Sequence, residues 1–134
     1  IFENVGISNE HRELTIYQSL DDHTVSSMVK SVVKAQMRGG NLEELKVQCR
    51  TLQEVIEKHS YHQFDLLQID TEGFELEVLS SLNFEIQKPA IIQFEHGHLS
   101  RKKIDSIFSV LSTHGYSVFY GGIQYQDSVA ILES

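Results

Sequence analysis

The sequence contains a single cysteine, a single proline and no tryptophan among its 134 residues. One cysteine, Cys49, excludes an internal disulfide framework and a zinc site built from several cysteines. A reducing compartment fits this composition, and we expect a cytoplasmic location. A chain of this length buries one hydrophobic core and is too short for two. We therefore expect residues 1–134 to form one domain.

Basic residues and long apolar runs are also scarce. The sequence has eleven Lys and Arg and nineteen Asp and Glu, which gives a net charge of -8. The basic residues do not form a cluster along the sequence. A nucleic acid is therefore not an expected partner. The longest apolar stretches, at 64–69 and 90–94, are far shorter than the roughly 20 residues that cross a bilayer. We expect a soluble protein that does not bind a membrane.

The first half of the chain has weak secondary-structure signals. Alternating residues predict strands over 1–8 and 13–18, and apolar residues at helical spacing predict a helix over 25–37 that ends at Gly39 and Gly40. A short strand is expected over 45–50. Thr51 and Glu54 then form the Thr-x-x-Glu capping-box pattern, which predicts a helix from there to about residue 58.

The second half alternates strands and helices more clearly. The nearly all-apolar segment 64–70 predicts a central parallel strand that is covered on both faces. Helices are expected over 72–82 and from Ser100 to Gly115, with a strand over 90–95 between them. Closing strands are expected over 116–120 and 128–133. This order predicts an α/β fold with a mostly parallel sheet and an antiparallel C-terminal hairpin.

Two polar clusters follow the two apolar strands of the second half. The first is Asp70-Thr71-Glu72-Gly73, and the second is Glu95-His96-Gly97-His98. Ligands of open α/β sheets bind beyond the carboxyl ends of the strands, so both clusters lie where a site is expected. Because paired strands are about 4.8 Å apart, Asp70 and Glu95 are predicted to face one cleft if their strands pair.

Simpler interpretations of these clusters stay open. Asp70 or Thr71 also fits an ordinary helix N-cap, with Glu72 complementing the helix dipole. His96 and His98 share one face if the strand continues through them, and an acid nearby would complete a divalent metal site. The spacing fixes too few ligands for this, so no metal is predicted.

The segment DLLQIDTEGFELEVL at 65–79 closely resembles the signature of FkbM-type S-adenosylmethionine-dependent methyltransferases. That signature is a strand that runs into Ile-Asp-x-Glu-Gly, followed by a helix that contains Glu-Leu. Three other segments are similar to the family at lower specificity: 4–8, 50–55 and 90–96. Gln53 stands where the family usually has an aspartate before the signature.

The resemblance implies a Rossmann-like class I methyltransferase sheet and methyl transfer from S-adenosylmethionine to an oxygen of a sugar or a small metabolite. It implies that Ile7, Ser8 and Asp70 contact the cofactor. Asp70, Glu72, Glu95 and His96 would form the catalytic, substrate-side wall. Asp70 by its location, or His96 by the ordinary range of an imidazole pKa, would accept the proton of the attacking hydroxyl.

The glycine-rich turn and the ribose-binding acid of the family have no counterpart in the sequence. We therefore expect the chain to be the C-terminal part of a truncated domain whose N-terminal strands are missing. Such a piece exposes a sheet edge, and an exposed edge favours self-association into a homo-oligomer.

Two other functions are compatible with the same residues. Asp70 and Glu72 also resemble the Asp-x-Glu pair of metal-dependent nucleases, although a helix rather than a strand is predicted after Glu72. A non-catalytic binding domain with a Rossmann-like fold is the second alternative. The acidic charge and the context of the signature favour the methyltransferase.

Overall fold

The computed structural model of the chain describes every residue except 23, 38, 62, 123 and 134. Its elements, in chain order, are β1 (Gly6–Ile7), β2 (Arg12–Ser19), β3 (Ser26–Ser27), α1 (Lys30–Gln36), β4 (Leu42–Arg50), α2 (Leu52–Lys58), β5 (Leu66–Ile69), α3 (Glu75–Ser80), β6 (Ile91–Glu95), α4 (Arg101–Thr113), β7 (Tyr116–Phe119) and β8 (Asp127–Leu132). No helix within the described ranges is long and apolar enough to cross a bilayer.

The strands form two four-stranded mixed sheets, in the orders β1-β4-β2-β3 and β5-β6-β8-β7. The α/β class is as predicted, but the mostly parallel sheet is wrong. Among the described residues, only β1 with β4 and β5 with β6 pair in parallel, and the other four pairings are antiparallel. The helix that follows β6 leads to β7 at the far edge, and β8 returns antiparallel between these two strands.

The first sheet is built on a long antiparallel ladder between β2 and β4, in which Arg12 pairs with Cys49 and Ser19 with Leu42. Short β1 then adds to β4 in parallel. At Gly6 the two strands approach so closely that a Cβ atom would lie 2.6 Å from Sγ of Cys49. Cys49 itself is fully buried, and burial raises the pKa of its thiol. Cys49 is therefore a small buried hydrophobe rather than an accessible nucleophile.

The second sheet carries the main hydrophobic core on one face. Ile92, Phe94 and Ala130 project from its strands and are fully buried. Helix α4 packs against them with Ile107 and Leu111, which lie one helical turn apart on its apolar stripe. The helix begins as predicted, because the side chain of Ser100 accepts a hydrogen bond from the backbone of Lys103.

The opposite face of this sheet is largely uncovered by the described residues. Leu66, Ile91 and Ile131 lie in register across β5, β6 and β8 and are 53%, 41% and 44% exposed. The prediction that β5 is covered on both faces is thus wrong for the described residues. Side chains alternate between the faces of a strand. Ile69 and Phe94 are buried on the face that carries the core, so the three exposed residues lie on the opposite face.

Helix α2 confirms the capping-box prediction. The side chain of Thr51 accepts a hydrogen bond from the amide of Glu54, and the Glu54 carboxylate accepts one from the amide of Thr51. Each side chain thereby satisfies an amide that the first helical turn leaves unpaired. The predicted helix over 25–37 is correct only in its second part, because Ser26 and Ser27 form β3 at the edge of the first sheet.

Candidate functional site

The loop between β5 and α3 holds the backbone of Glu72 in an unusual conformation. Glu72 has φ of 55° and Gly73 has φ of 106°, which are both left-handed. A glycine adopts this region freely, whereas for glutamate it costs of order 1–3 kcal/mol. Helix α3 therefore begins at Glu75 rather than at residue 72 as predicted, and its N-cap, Phe74, makes no capping hydrogen bond through its side chain.

Glu75 stabilises this loop from inside the protein. Its side chain is fully buried, and its carboxylate accepts hydrogen bonds from the amide of Thr71 at 3.0 Å, the hydroxyl of Thr71 at 2.8 Å and the amide of Gly73 at 3.2 Å. Hydrogen bonds to an ionised group are stronger than those between neutral groups. The sequence analysis missed this role, because an acid in the first turn of a helix is usually a solvated residue.

Two other elements fix the outer side of the loop. The hydroxyl of Ser27 donates to the carbonyl of Glu72 at 2.6 Å. The ammonium group of Lys103 donates to the carbonyl of Gly73 at 3.1 Å and forms an ion pair with Glu77 at 2.8 Å. The left-handed turn is thus held by contacts from β3 and from α4. This explains how the backbone strain at Glu72 is maintained.

A cavity of about 470 Å³ opens beside this loop. It brings together Ile7 of β1 with Asp70 and Glu72 of the loop, which the sequence analysis placed in the site. Ser8 is fully buried and does not line the cavity. The remaining lining residues come mainly from the first sheet and from the segment around β3: Val5, Gly6, Ile16, Thr24, Ser26, Ser27, Met28, Thr71 and Phe74.

Glu95 ends β6, directly beside the end of β5. The two strands pair in parallel, with Ile69 opposite Phe94, so the predicted pairing is confirmed. Burial raises the pKa of Glu95 to about 7, and the nearby charge of Glu72 adds to this, with a smaller effect of Asp70. Like charges and loss of water both disfavour an ionised carboxylate. The charges of Glu72 and Asp70 therefore reach Glu95.

His98 lies between two of these acids. Its Nε2 is 2.9 Å from Oε2 of Glu72 and 3.6 Å from Oε1 of Glu95. Gln36, the last residue of α1, donates from Nε2 to the same oxygen of Glu72 at 2.8 Å. From the sequence, His98 is considered only as a possible metal ligand, and Gln36 is not considered at all. Gln36 lies 36 residues before Glu72, and only the folded chain brings them together.

His96 occupies a different environment from His98. Its side chain is buried, its Nε2 donates to the carbonyl of Gly122 at 3.0 Å, and its Nδ1 accepts from the hydroxyl of Ser128 at 3.0 Å. The ring also packs against Tyr120, with the ring centroids 4.5 Å apart and the planes tilted by 42°. The condition for a shared face of the two histidines, a strand that continues through them, is not met, because β6 ends at Glu95 and the chain turns before His98.

This arrangement suits a cationic ligand. Two acidic residues, Asp70 and Glu72, line the cavity, while Ile7, Ile16 and Phe74 supply apolar surface. A few polar groups on a mostly apolar lining are typical of sites for small molecules. The cavity also lies at the carboxyl end of β5, where ligands of α/β sheets bind.

One of the comparisons with known proteins identifies a family for the chain. The sequence profile of a family described as the methyltransferase FkbM domain matches residues 1–118 of the chain. This range includes the cavity, the loop after β5 and the cluster after β6. None of the curated proteins and none of the solved structures shows significant similarity to the chain.

Proposed function

The chain belongs to the methyltransferase FkbM domain family, and we propose that it transfers the methyl group of S-adenosylmethionine to a hydroxyl oxygen of a sugar or another small metabolite. Methyl transfer in general follows from the family. The identity of the methyl donor and the chemical class of the acceptor are the parts that we propose. The same proposal includes a Rossmann-like arrangement for the second sheet and its helices.

The cavity beside the β5–α3 loop carries the proposal. Ile7 belongs to the first sheet and Asp70 directly follows strand β5 of the second, and they line this space together with Glu72. Its volume of about 470 Å³ lies within the range of roughly 300–1,000 Å³ that small-molecule sites occupy. We assign Ile7 to the apolar side of the bound donor and Asp70 to its charged side.

The charge of the cavity fits the proposed donor. S-adenosylmethionine supplies, when bound, an electrophilic methyl group on a positively charged sulfur. The carboxylates of Asp70 and Glu72 favour a cation in this space, because opposite charges attract more strongly where water is partly excluded. Ser8 is not part of this assignment, since its hydroxyl is buried and bonds to Asn9.

Asp70 is our proposed proton acceptor. As the acceptor oxygen takes the methyl group, its hydroxyl proton moves to the Asp70 carboxylate, and the donor sulfur keeps the electron pair of the broken bond. Asp70 is exposed to the cavity. His96 is a poorer choice, because both of its ring nitrogens are engaged by Gly122 and Ser128. We assign His96 a positioning role at the end of β6.

Self-association is a further part of the proposal. Strand β5 is an edge strand among the described residues, and its first residue, Leu66, is half exposed. An unpaired strand edge next to apolar surface favours pairing with a second copy. Sedimentation of the 134-residue chain tests this directly, and a strictly monomeric chain would contradict it.

A methyl-transfer assay tests the function. The full-length protein would be incubated with S-adenosylmethionine carrying a labelled methyl group and a panel of sugars and small hydroxyl compounds. We expect label in at least one acceptor. Cleavage of a nucleic acid in the presence of Mg²⁺, without label transfer, would instead support the nuclease alternative at Asp70 and Glu72.

A further inference from the structure

Glu72, Glu95 and His98 bring three potential metal ligands together at the ends of β5 and β6. One ligand atom of each residue lies within 4.8 Å of the others, and this is the only such group found among the described residues. We infer that these three side chains bind a divalent cation. This site goes beyond the family assignment and beyond the sequence analysis, which predicts no metal.

A buried oxygen without a partner supports this inference. Oε2 of Glu95 is inaccessible to solvent, and no described group forms a hydrogen bond with it. Leaving a buried polar group unsatisfied costs about 1–3 kcal/mol, and more when the group is charged. Glu95 also lies close to the charge of Glu72. A cation between the two carboxylates would satisfy the free oxygen and remove their repulsion.

The polar contacts of His98 also support a bound cation. Its Nε2 lies 2.9 Å from an acceptor, Oε2 of Glu72, and 3.2 Å from a donor, Nε2 of Gln36. A ring nitrogen either carries a proton or offers a lone pair, so it cannot satisfy both neighbours. With a cation present, the lone pair of His98 and the oxygen of Glu72 both bind the ion. Gln36 then donates to Glu72 from outside and holds its carboxylate in place.

The donor set indicates the class of metal. Two carboxylates and one imidazole suit Mn²⁺, Fe²⁺ or Zn²⁺ better than soft ions, which prefer thiolates. Three protein ligands leave coordination positions open for water or for a substrate oxygen. An acceptor hydroxyl bound there would lose its proton more easily. This role rests on the proposed function, whereas metal binding itself does not.

The cluster is accessible to a small ion. Glu72 lines the cavity of about 470 Å³, and Gln36 lines a separate cavity of about 670 Å³ together with Asp21 and Asp22. The side chain of His98 is 24% exposed. An ion can therefore enter without unfolding of either sheet, and acidic residues border both cavities.

Titration with Mn²⁺ alone tests the site, with the loss of the free-ion electron paramagnetic resonance signal as the readout. We expect one saturable site in the full-length protein. His98→Ala and Glu95→Gln should each weaken it by at least about tenfold, because each removes a ligand. His59→Ala is a matched control, since His59 also pairs with a glutamate, Glu3, at similar burial. This variant should bind Mn²⁺ as the wild-type protein does.

Two results would overturn the inference: no saturable binding to the wild-type protein, or equal binding by all three variants. Thermal unfolding without Mn²⁺ identifies variants that fail to fold. The same measurement with Mn²⁺ gives a second readout of binding, because an ion that binds only the native state raises its melting temperature. A parallel titration with S-adenosylhomocysteine in EDTA separates the two proposals. Binding of this compound without Mn²⁺ binding refutes only the metal site, and the reverse result refutes only the proposed donor.

Discussion

Oε2 of Glu72 lies 2.9 Å from Nε2 of His98, although 26 residues separate them in the sequence. The contact joins the loop after β5 to the loop after β6. The backbone of Glu72 is left-handed at this point, and this turn sets the direction of the chain before helix α3 begins. Strained residues of this kind persist where the surrounding structure holds them, and they cluster at functional sites.

Glu75 is expected to be the main support of the strained loop. Glu75→Ala removes the only acceptor described for the amides of Thr71 and Gly73. We expect the free energy of unfolding to fall by about 2–4 kcal/mol, because buried donors are left without partners. Urea denaturation measures this. Glu57→Ala, on the exposed side of α2, is the control and should change stability by less than about 0.5 kcal/mol.

Glu95 should make the stability of the metal-free protein depend on pH. Its pKa is about 7 in the folded protein against an ordinary value of 4.5, so the native state holds the proton more tightly. This contribution is fully present below about pH 4.5 and is lost as the pH rises through about 7. Glu95→Gln, which stays neutral, should flatten the fall in stability between those values.

Urea midpoints in EDTA at several pH values measure this slope. Glu54→Gln is a useful comparison, because the amide of Thr51 lowers the pKa of Glu54 and its contribution is lost only as the pH falls. That variant should keep the wild-type slope near neutral pH. An unchanged slope in Glu95→Gln would show that Glu95 ionises normally in the folded protein.

Asp70→Asn should strongly reduce turnover, because the amide cannot accept the proton of the acceptor hydroxyl. Loss of a general base typically costs about 10²- to 10⁴-fold. Transfer of labelled methyl groups at saturating donor measures the effect. Asp65→Asn is the matched control, since Asp65 is an exposed aspartate before the other end of β5. Equal rates in both variants would remove Asp70 from the mechanism.

The capping box predicts a smaller, purely structural effect. Thr51→Ala removes the acceptor of the Glu54 amide, which lies 3.1 Å from the hydroxyl, and should lower the free energy of unfolding by about 1 kcal/mol. Thr113→Ala, at the exposed end of α4, should have almost no effect. Thermal unfolding compares the two variants. A loss in Thr113→Ala as large as that in Thr51→Ala would argue against the capping role.

Local patterns predicted the elements whose signals lie within a few residues. The capping residues of α2 and α4, the pairing of β5 with β6 and the C-terminal hairpin all followed from such signals. The mixed strand order of the second sheet did not, because the antiparallel partner of β6 is β8, which lies more than 30 residues later. Strand order depends on tertiary packing rather than on local propensity.

The candidate site was also predicted only in part, because some of its residues meet only through tertiary packing. Asp70, Glu72 and Glu95 lie where the ends of the strands indicate, but the sequence carries no signal for the left-handed turn at Glu72. His98 and Gln36 reach the cluster only through the turn after β6 and the position of α1. His96 appeared equivalent to His98, yet the end of β6 sends its ring into the core beside Ser128.

Calorimetric titration of S-adenosylhomocysteine into the full-length protein tests the central claim most directly. The account predicts saturable binding of one molecule per chain, and weaker binding after Asp70→Ala, which removes a carboxylate from the cavity. Absence of binding to the folded wild-type protein would contradict the assignment of this cavity to the methyl donor.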